Sequence, residues 1–139
     1  MSVSGIKTKI IEKLEDMQSL KAVFDYPASN SGGKYPYATV TLRRGDGTIR
    51  STAHNLRTRS YWVRVYQELT KAGQGPERAE TIVVDVIDEL EAAFDMDTTL
   101  SGSCHWAFPV DWNASYRNRE HDTRILEIQL DANELVSAQ

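Results

Sequence analysis

Residues 58–68, Thr-Arg-Ser-Tyr-Trp-Val-Arg-Val-Tyr-Gln-Glu, carry the strongest structural signal in the chain. β-Branched and aromatic side chains suit a pleated surface, so Tyr61, Trp62, Val63, Val65 and Tyr66 predict a strand. Its natural partner is the run at 37–42. There Ala38, Val40 and Leu42 fall on one side, and Tyr37, Thr39 and Thr41 on the other. Such alternation predicts a half-buried strand. Residues 43–59 between the two are long and polar, and Gly45-Asp46-Gly47 has turn chemistry. The connection is therefore expected to be an extended hairpin arm or a mobile loop.

Beyond residue 68 the composition changes. Gly73, Gly75 and Pro76 break the chain, and Pro76 suits a first helical turn, where its missing N–H is no loss. Ala79, Ile82, Val83, Val86, Ile87, Leu90 and Phe94 then recur as one apolar stripe. They predict a helix over 76–94, about 28 Å long. Asp85, Asp88, Glu89 and Glu91 form an acidic outer face, either a complementary surface or simply solvated. A first helix is predicted over 4–17 from Ile6, Ile10, Leu14 and Met17, with Ser4 as N-cap. A weak strand is expected at 21–26, a loop at 28–34, and an extended approach to the next strand through Tyr35-Pro36. After a loop at 95–103, strands are predicted at 104–112, edge-like because of Pro109, and at 123–131, with a polar turn between them. Residues 132–139 are expected to form a loose tail.

Helices and neighbouring strands in this order predict a single α+β domain over 1–139. It is a two-layer sandwich with a mainly antiparallel sheet of about four to five strands and two helices on one face. The 139 residues suffice for one core, and the 40% hydrophobic and 26% charged fractions are those of an ordinary globular chain. No run approaches the ~18 apolar residues of a membrane span. The first residues lack the apolar run of a signal peptide. A lone Cys104 cannot form an internal disulfide, which suggests folding in a reducing cytoplasm.

No catalytic constellation emerges. Cys104 and His105 are adjacent, so a strand points them to opposite faces. His54, His105 and His121 lack metal-ligand spacing. Asp95-Met96-Asp97 lacks the later Gly and Glu of a calcium loop. The glycines fit no phosphate-binding motif, and the Asn113-Ala-Ser sequon has no secretory context. No enzyme activity, cofactor or metal is expected.

The informative polar feature is charge. The net charge is −4, but residues 1–74 hold 12 Lys+Arg against 6 Asp+Glu, and residues 75–139 hold 4 against 14. Between residues 43 and 64 every basic residue is arginine: Arg43, Arg44, Arg50, Arg57, Arg59 and Arg64. Arginine pairs in bidentate fashion with carboxylate or phosphate. The residues alone leave three uses open for this arm: protein or self contact, nucleic acid, or a solvated loop.

The order of elements from Ser4 to Leu130 resembles the tail terminator proteins of long-tailed bacteriophages, the minor tail protein U group. The likeness rests on the amphipathic N-terminal helix, the Tyr35-Pro36-Tyr37-Ala38-Thr39-Val40 stretch and the polar arm. It continues through the Ser60–Tyr66 strand, the long helix after a Gly/Pro break, and the closing Arg124-Ile-Leu-Glu-Ile-Gln-Leu strand. The resemblance implies a non-enzymatic virion protein at the head–tail junction, assembled in the host cytoplasm. It implies a hexameric ring that caps the tail tube, stops its polymerisation and offers a face to the head connector, with DNA only passing through the pore. A neck or head-closure ring is the alternative within virions, and a small nucleic-acid-binding module is the alternative outside them. Under the terminator expectation, Arg43, Arg44, Arg50, Arg57 and Arg59 contact a neighbouring subunit or the tube. A heterologous interface of this kind needs two different patches on each subunit.

Overall fold

The computed structural model describes residues 3–27, 35–49, 54–68, 76–97, 99–100, 104, 106–116 and 123–137. Its elements are α1 (Val3–Glu15), β1 (Ala22–Phe24), β2 (Tyr37–Ile49), β3 (His54–Glu68), α2 (Pro76–Met96), β4 (Trp106–Tyr116) and β5 (Thr123–Ser137). The strands form one sheet in the order β1-β2-β3-β5-β4. Every pairing is antiparallel except the short parallel β1–β2 pair. This is the expected α+β architecture.

Burial follows the period of two on β3 and β5, whereas β2 is buried on both faces from Tyr37 to Val40. Ala38 and Val40 of β2, Tyr61, Val63 and Val65 of β3, and Leu126, Ile128 and Leu130 of β5 form one buried face. Ile6, Ile10 and Leu14 from α1 pack there, as do Val83, Val86, Leu90 and Phe94 from α2. Both helices thus cover the same side of the sheet. Burial of this apolar area is the main stabilising term, at roughly 25 cal/mol per Å².

Polar latches tie the helices together. The Glu89 carboxylate on α2 accepts hydrogen bonds from the backbone N–H of Gln18 (3.1 Å) and Ser19 (3.0 Å) and from the Ser19 hydroxyl. It anchors the turn that follows α1, so Glu89 is not part of a simple solvated acidic face. Lys13 reaches across to the end of α2. It pairs with Asp97 at 3.1 Å, donates to the Ala93 carbonyl and lies 5.5 Å from the Phe94 ring centroid. A cation there suits the negative end of the helix. Just beyond, Leu100 adopts a left-handed backbone with φ of 49°. That conformation is unfavourable for a side chain with a Cβ, and here it delivers Leu100 into the core, where it is 2% exposed.

Several expectations are corrected. α1 begins at Val3, which puts Ser4 in the first turn rather than at the cap. Gly45-Asp46-Gly47 is not a turn: the β2–β3 ladder runs through it to Ile49 opposite Asn55. The connection lies at 50–53, outside the described residues. β4 runs past residue 112 to Tyr116, with Asn113 opposite Glu127 and Ser115 opposite Ile125 on the side away from the helices. Polar side chains are tolerated in a strand on an uncovered face. The run at 132–137 is not a loose tail either. It continues β5 as far as Ser137 opposite His54, because the N-terminal half of β3 offers it a free row of backbone donors and acceptors.

Candidate assembly surface

Three strands run on beyond the end of β4. β2 past Leu42, β3 before Ser60 and β5 past Asp131 stay in register with β3 in the middle, and beyond Asn133, where β4 begins, they form a three-stranded arm. The 43–59 segment is therefore a hairpin arm rather than a loop. Arg50 lies outside the described residues.

The arm's arginines do not form one patch. Arg57 and Arg59 share the parity of Tyr61 and Val63, so they lie on the helix-side face; the rung of Arg59 still carries the fully buried Ala132 and Ala107, and that of Arg57 lies beyond β4. Their cross-strand neighbours on β2 are Gly47 and Gly45, which bring no side chain over them. Arg57 is exposed and Arg59 half-buried. Arg44 stands opposite Ser60 on the other face. Arg43 takes that face by ordinary alternation after Leu42, and the extra residue between Leu42 and Arg44 in β2 is what puts Arg44 there as well.

On the uncovered face Arg43 and Arg64 both approach Trp62, each with its guanidinium carbon 5.2 Å from the ring centroid. Each such contact contributes about 0.5–1 kcal/mol at an exposed site. Arg64 also pairs with Glu127 at 2.7 Å. At the root of the arm the Ser60 hydroxyl donates to Asp131 at 2.6 Å, and Asn133 donates to the Thr58 hydroxyl at 3.4 Å. The rings of Trp106 and Phe108 lie 4.8 Å apart at the margin of this face. A second bulge, between Pro109 and Asp111, interrupts β4. It falls next to the rung Leu42–Tyr61–Leu130–Pro109, on the opposite side from the β2 bulge.

The acidic helix side is mixed in role. Asp85, Asp88 and Glu91 are exposed, whereas Glu89 is the latch described above. Burial alone would raise the Glu89 pKa, but its hydrogen bonds from Ser19 and Gln18 outweigh that and hold it below the ordinary value of 4.5. Farther along, Arg124 pairs with Glu80 at 3.1 Å and ties the start of β5 to α2.

A separate groove, which sequence reasoning missed, opens between α1 and β1 at the far edge of the sheet. Ile11, Glu12 and Glu15 line one wall, and Phe24, Asp25 and Tyr26 the other, enclosing about 420 Å³. Nothing in the sequence pairs residues 11–15 with 24–26; the packing of α1 beside β1 brings them together.

Cys104 is buried and its thiol lies 3.7 Å from the Thr99 carbonyl. Among the described residues no three His, Cys, Asp or Glu side chains converge as a metal site would require. His105 and His121 lie outside the described residues. No described helix is long and apolar enough to cross a membrane.

No protein-family model matches the chain, and no curated protein sequence matches it. A solved structure does: a chain from the virion of a native gene transfer agent particle. The two are 18% identical, the match covers 99% of this chain and 98% of that one, and the TM-score is 0.60. At that identity the likeness is one of fold, and it extends over the whole chain.

Proposed function

We propose that this chain is a structural subunit of a phage-like virion, and within it a tail terminator. Copies form a ring that caps the tail tube, stops its polymerisation and presents a joining surface to the head; no catalytic step is involved. The observation that carries this is the end-to-end fold likeness to a chain of a gene transfer agent virion. The arm adds support, since three paired strands projecting past the core are suited to reaching a neighbour. So does the unequal charge, because electrostatic complementarity selects partners and fixes their orientation.

The test mixes the purified protein with its own tail tube protein and applies electron microscopy with mass determination. Six-fold rings, and tubes capped at one end with arrested length, are expected. Rings that leave tube growth untouched and bind only the head connector would shift the assignment to a neck or head-closure ring. Absence of rings and tube binding, together with DNA retention that falls steeply with salt, would replace it by a nucleic-acid module.

A further inference from the structure

We propose that the acidic groove between α1 and β1 receives the Arg57–Arg59 face of the arm of a second copy of this chain. The inference rests on the assembly reading above and names the contact between neighbouring subunits.

The groove has the chemistry of an arginine site. Glu12, Glu15 and Asp25 give it negative charge, and Tyr26 stands over it with 55% of its surface exposed. Phe24 backs Tyr26, with ring centroids 5.6 Å apart. A guanidinium can stack on such a ring while its N–H groups fork onto a carboxylate, which an ammonium cannot do. Two lysines stand nearby and are already engaged. Lys7 donates to the Asp25 backbone carbonyl at 2.6 Å, and Lys9 pairs with Glu12 at 3.5 Å. Among the described residues the carboxylates of Glu15 and Asp25 have no cation partner, so they supply the charge on offer. The arm is the complementary element: Arg57 is exposed and half-buried Arg59 lies on the same face, with Gly47 and Gly45 opposite them on β2 and Glu134 and Ala132 opposite them on β5, so Arg57 leads the contact.

Geometry rules out an occupant from the same subunit. β1 pairs with Tyr37–Thr39 at one end of β2, and the arm leaves from the other end. Some nine residues of strand separate Ala38 from Gly47, about 30 Å. The arm is held in line by pairing on both sides of β3, so it cannot fold back onto its own groove. Two unlike patches at opposite ends of one subunit make a head-to-tail interface, and such an interface closes into a ring when the rotation allows.

The experiment measures self-association by sedimentation and native mass spectrometry, on the protein alone and on tail tubes. Circular dichroism checks that each variant is folded. Arg57→Glu with Arg59→Glu, and separately Glu15→Lys with Asp25→Lys, should each weaken association by more than about tenfold. Mixing the two variants should give dimers only in head-to-tail order, with reversed arm against reversed groove. Placing all four substitutions in one chain should restore association to within a few-fold of the original. Groove variants that associate like the unmodified chain overturn the proposal. So does loss of association from Asp85→Lys with Asp88→Lys while the groove variants stay intact, which would seat the arm on α2 instead. A chain that is monomeric both alone and on tubes also overturns it. Failure of the terminator assignment is distinguishable: groove-dependent association without tube capping sinks that assignment and leaves this contact standing. Capped tubes built from groove variants do the reverse.

Discussion

β3 is one strand in two settings. Between Tyr61 and Val65 its helix-side residues are completely buried under α1 and α2. Between Arg57 and Arg59 the same face carries an exposed and a half-buried arginine, and the core runs out after the Ala132 rung. The backbone ladder is continuous on both sides of both halves. Hydrogen bonding therefore does not distinguish them; apolar burial does. A backbone hydrogen bond adds only about 0.5–1.5 kcal/mol net, so the ladder gives the arm its direction while the core gives the subunit its stability. Folding free energy is concentrated in the half that the helices cover.

That division can be broken most directly at Val86, which lies fully buried against the sheet. Val86→Asp would place an unpaired charge there, a cost large against the roughly 5–15 kcal/mol net stability of a domain. Loss of the cooperative thermal transition is expected. A soluble, cooperatively folding Val86→Asp protein would show that the helices are not what holds the body together. Next in size is Phe94→Ala, which empties a buried ring site and should cost about 3–5 kcal/mol in urea unfolding. A cost below ~1 kcal/mol would mean the end of α2 is not part of the core.

Glu89→Gln tests the latch between the helices and should have a smaller effect. The folded-state pKa of Glu89 is lowered. Its contribution is therefore fully present above the ordinary carboxylate value of 4.5 and is lost as pH falls through the lowered folded value. Thermal midpoints should then differ between the two proteins near neutral pH and converge in acid. A gap that widens on acidification would refute the sign. Smallest of all for stability is Arg57→Glu at its exposed position, expected within about 0.5 kcal/mol of the parent. If that variant unfolds more easily while still assembling, the division between body and arm fails.

The same contrast governs what could be read from the sequence. Val83, Val86, Leu90 and Phe94 announce a helix because burial imposes a 3.6-residue period, and Val63 and Val65 announce a strand by a period of two. These body elements were legible to within a few residues. Where burial lapses, so does the signal. Residues 132–137 look like a tail because Ala132 and Asn133, though buried, carry no strong strand signal, and their pairing with β3 depends on backbone groups that every residue carries. Gly45-Asp46-Gly47 looks like a turn because glycine and aspartate are scarce in strands, yet register with Arg57–Arg59 keeps it extended. The arginine arm was visible as composition, whereas its division into two faces depends on the bulge between Leu42 and Arg44. The Trp62 cluster could have been glimpsed from Arg64 two residues along the same strand; Arg43 needed the hairpin register. The α1–β1 groove had no local signature, since its walls come from segments joined only in three dimensions.

The two bulges carry one more consequence. They flank a single rung of the sheet, one on β2 and one on β4, and neither β3 nor β5 gains a residue there. A bulge bends the strand that carries it and tightens its local right-handed twist. Two of them flanking one rung act like a crease pressed into a ribbon: the place where the arm parts from the body is marked in the backbone itself, on both sides of the uninterrupted β3 and β5.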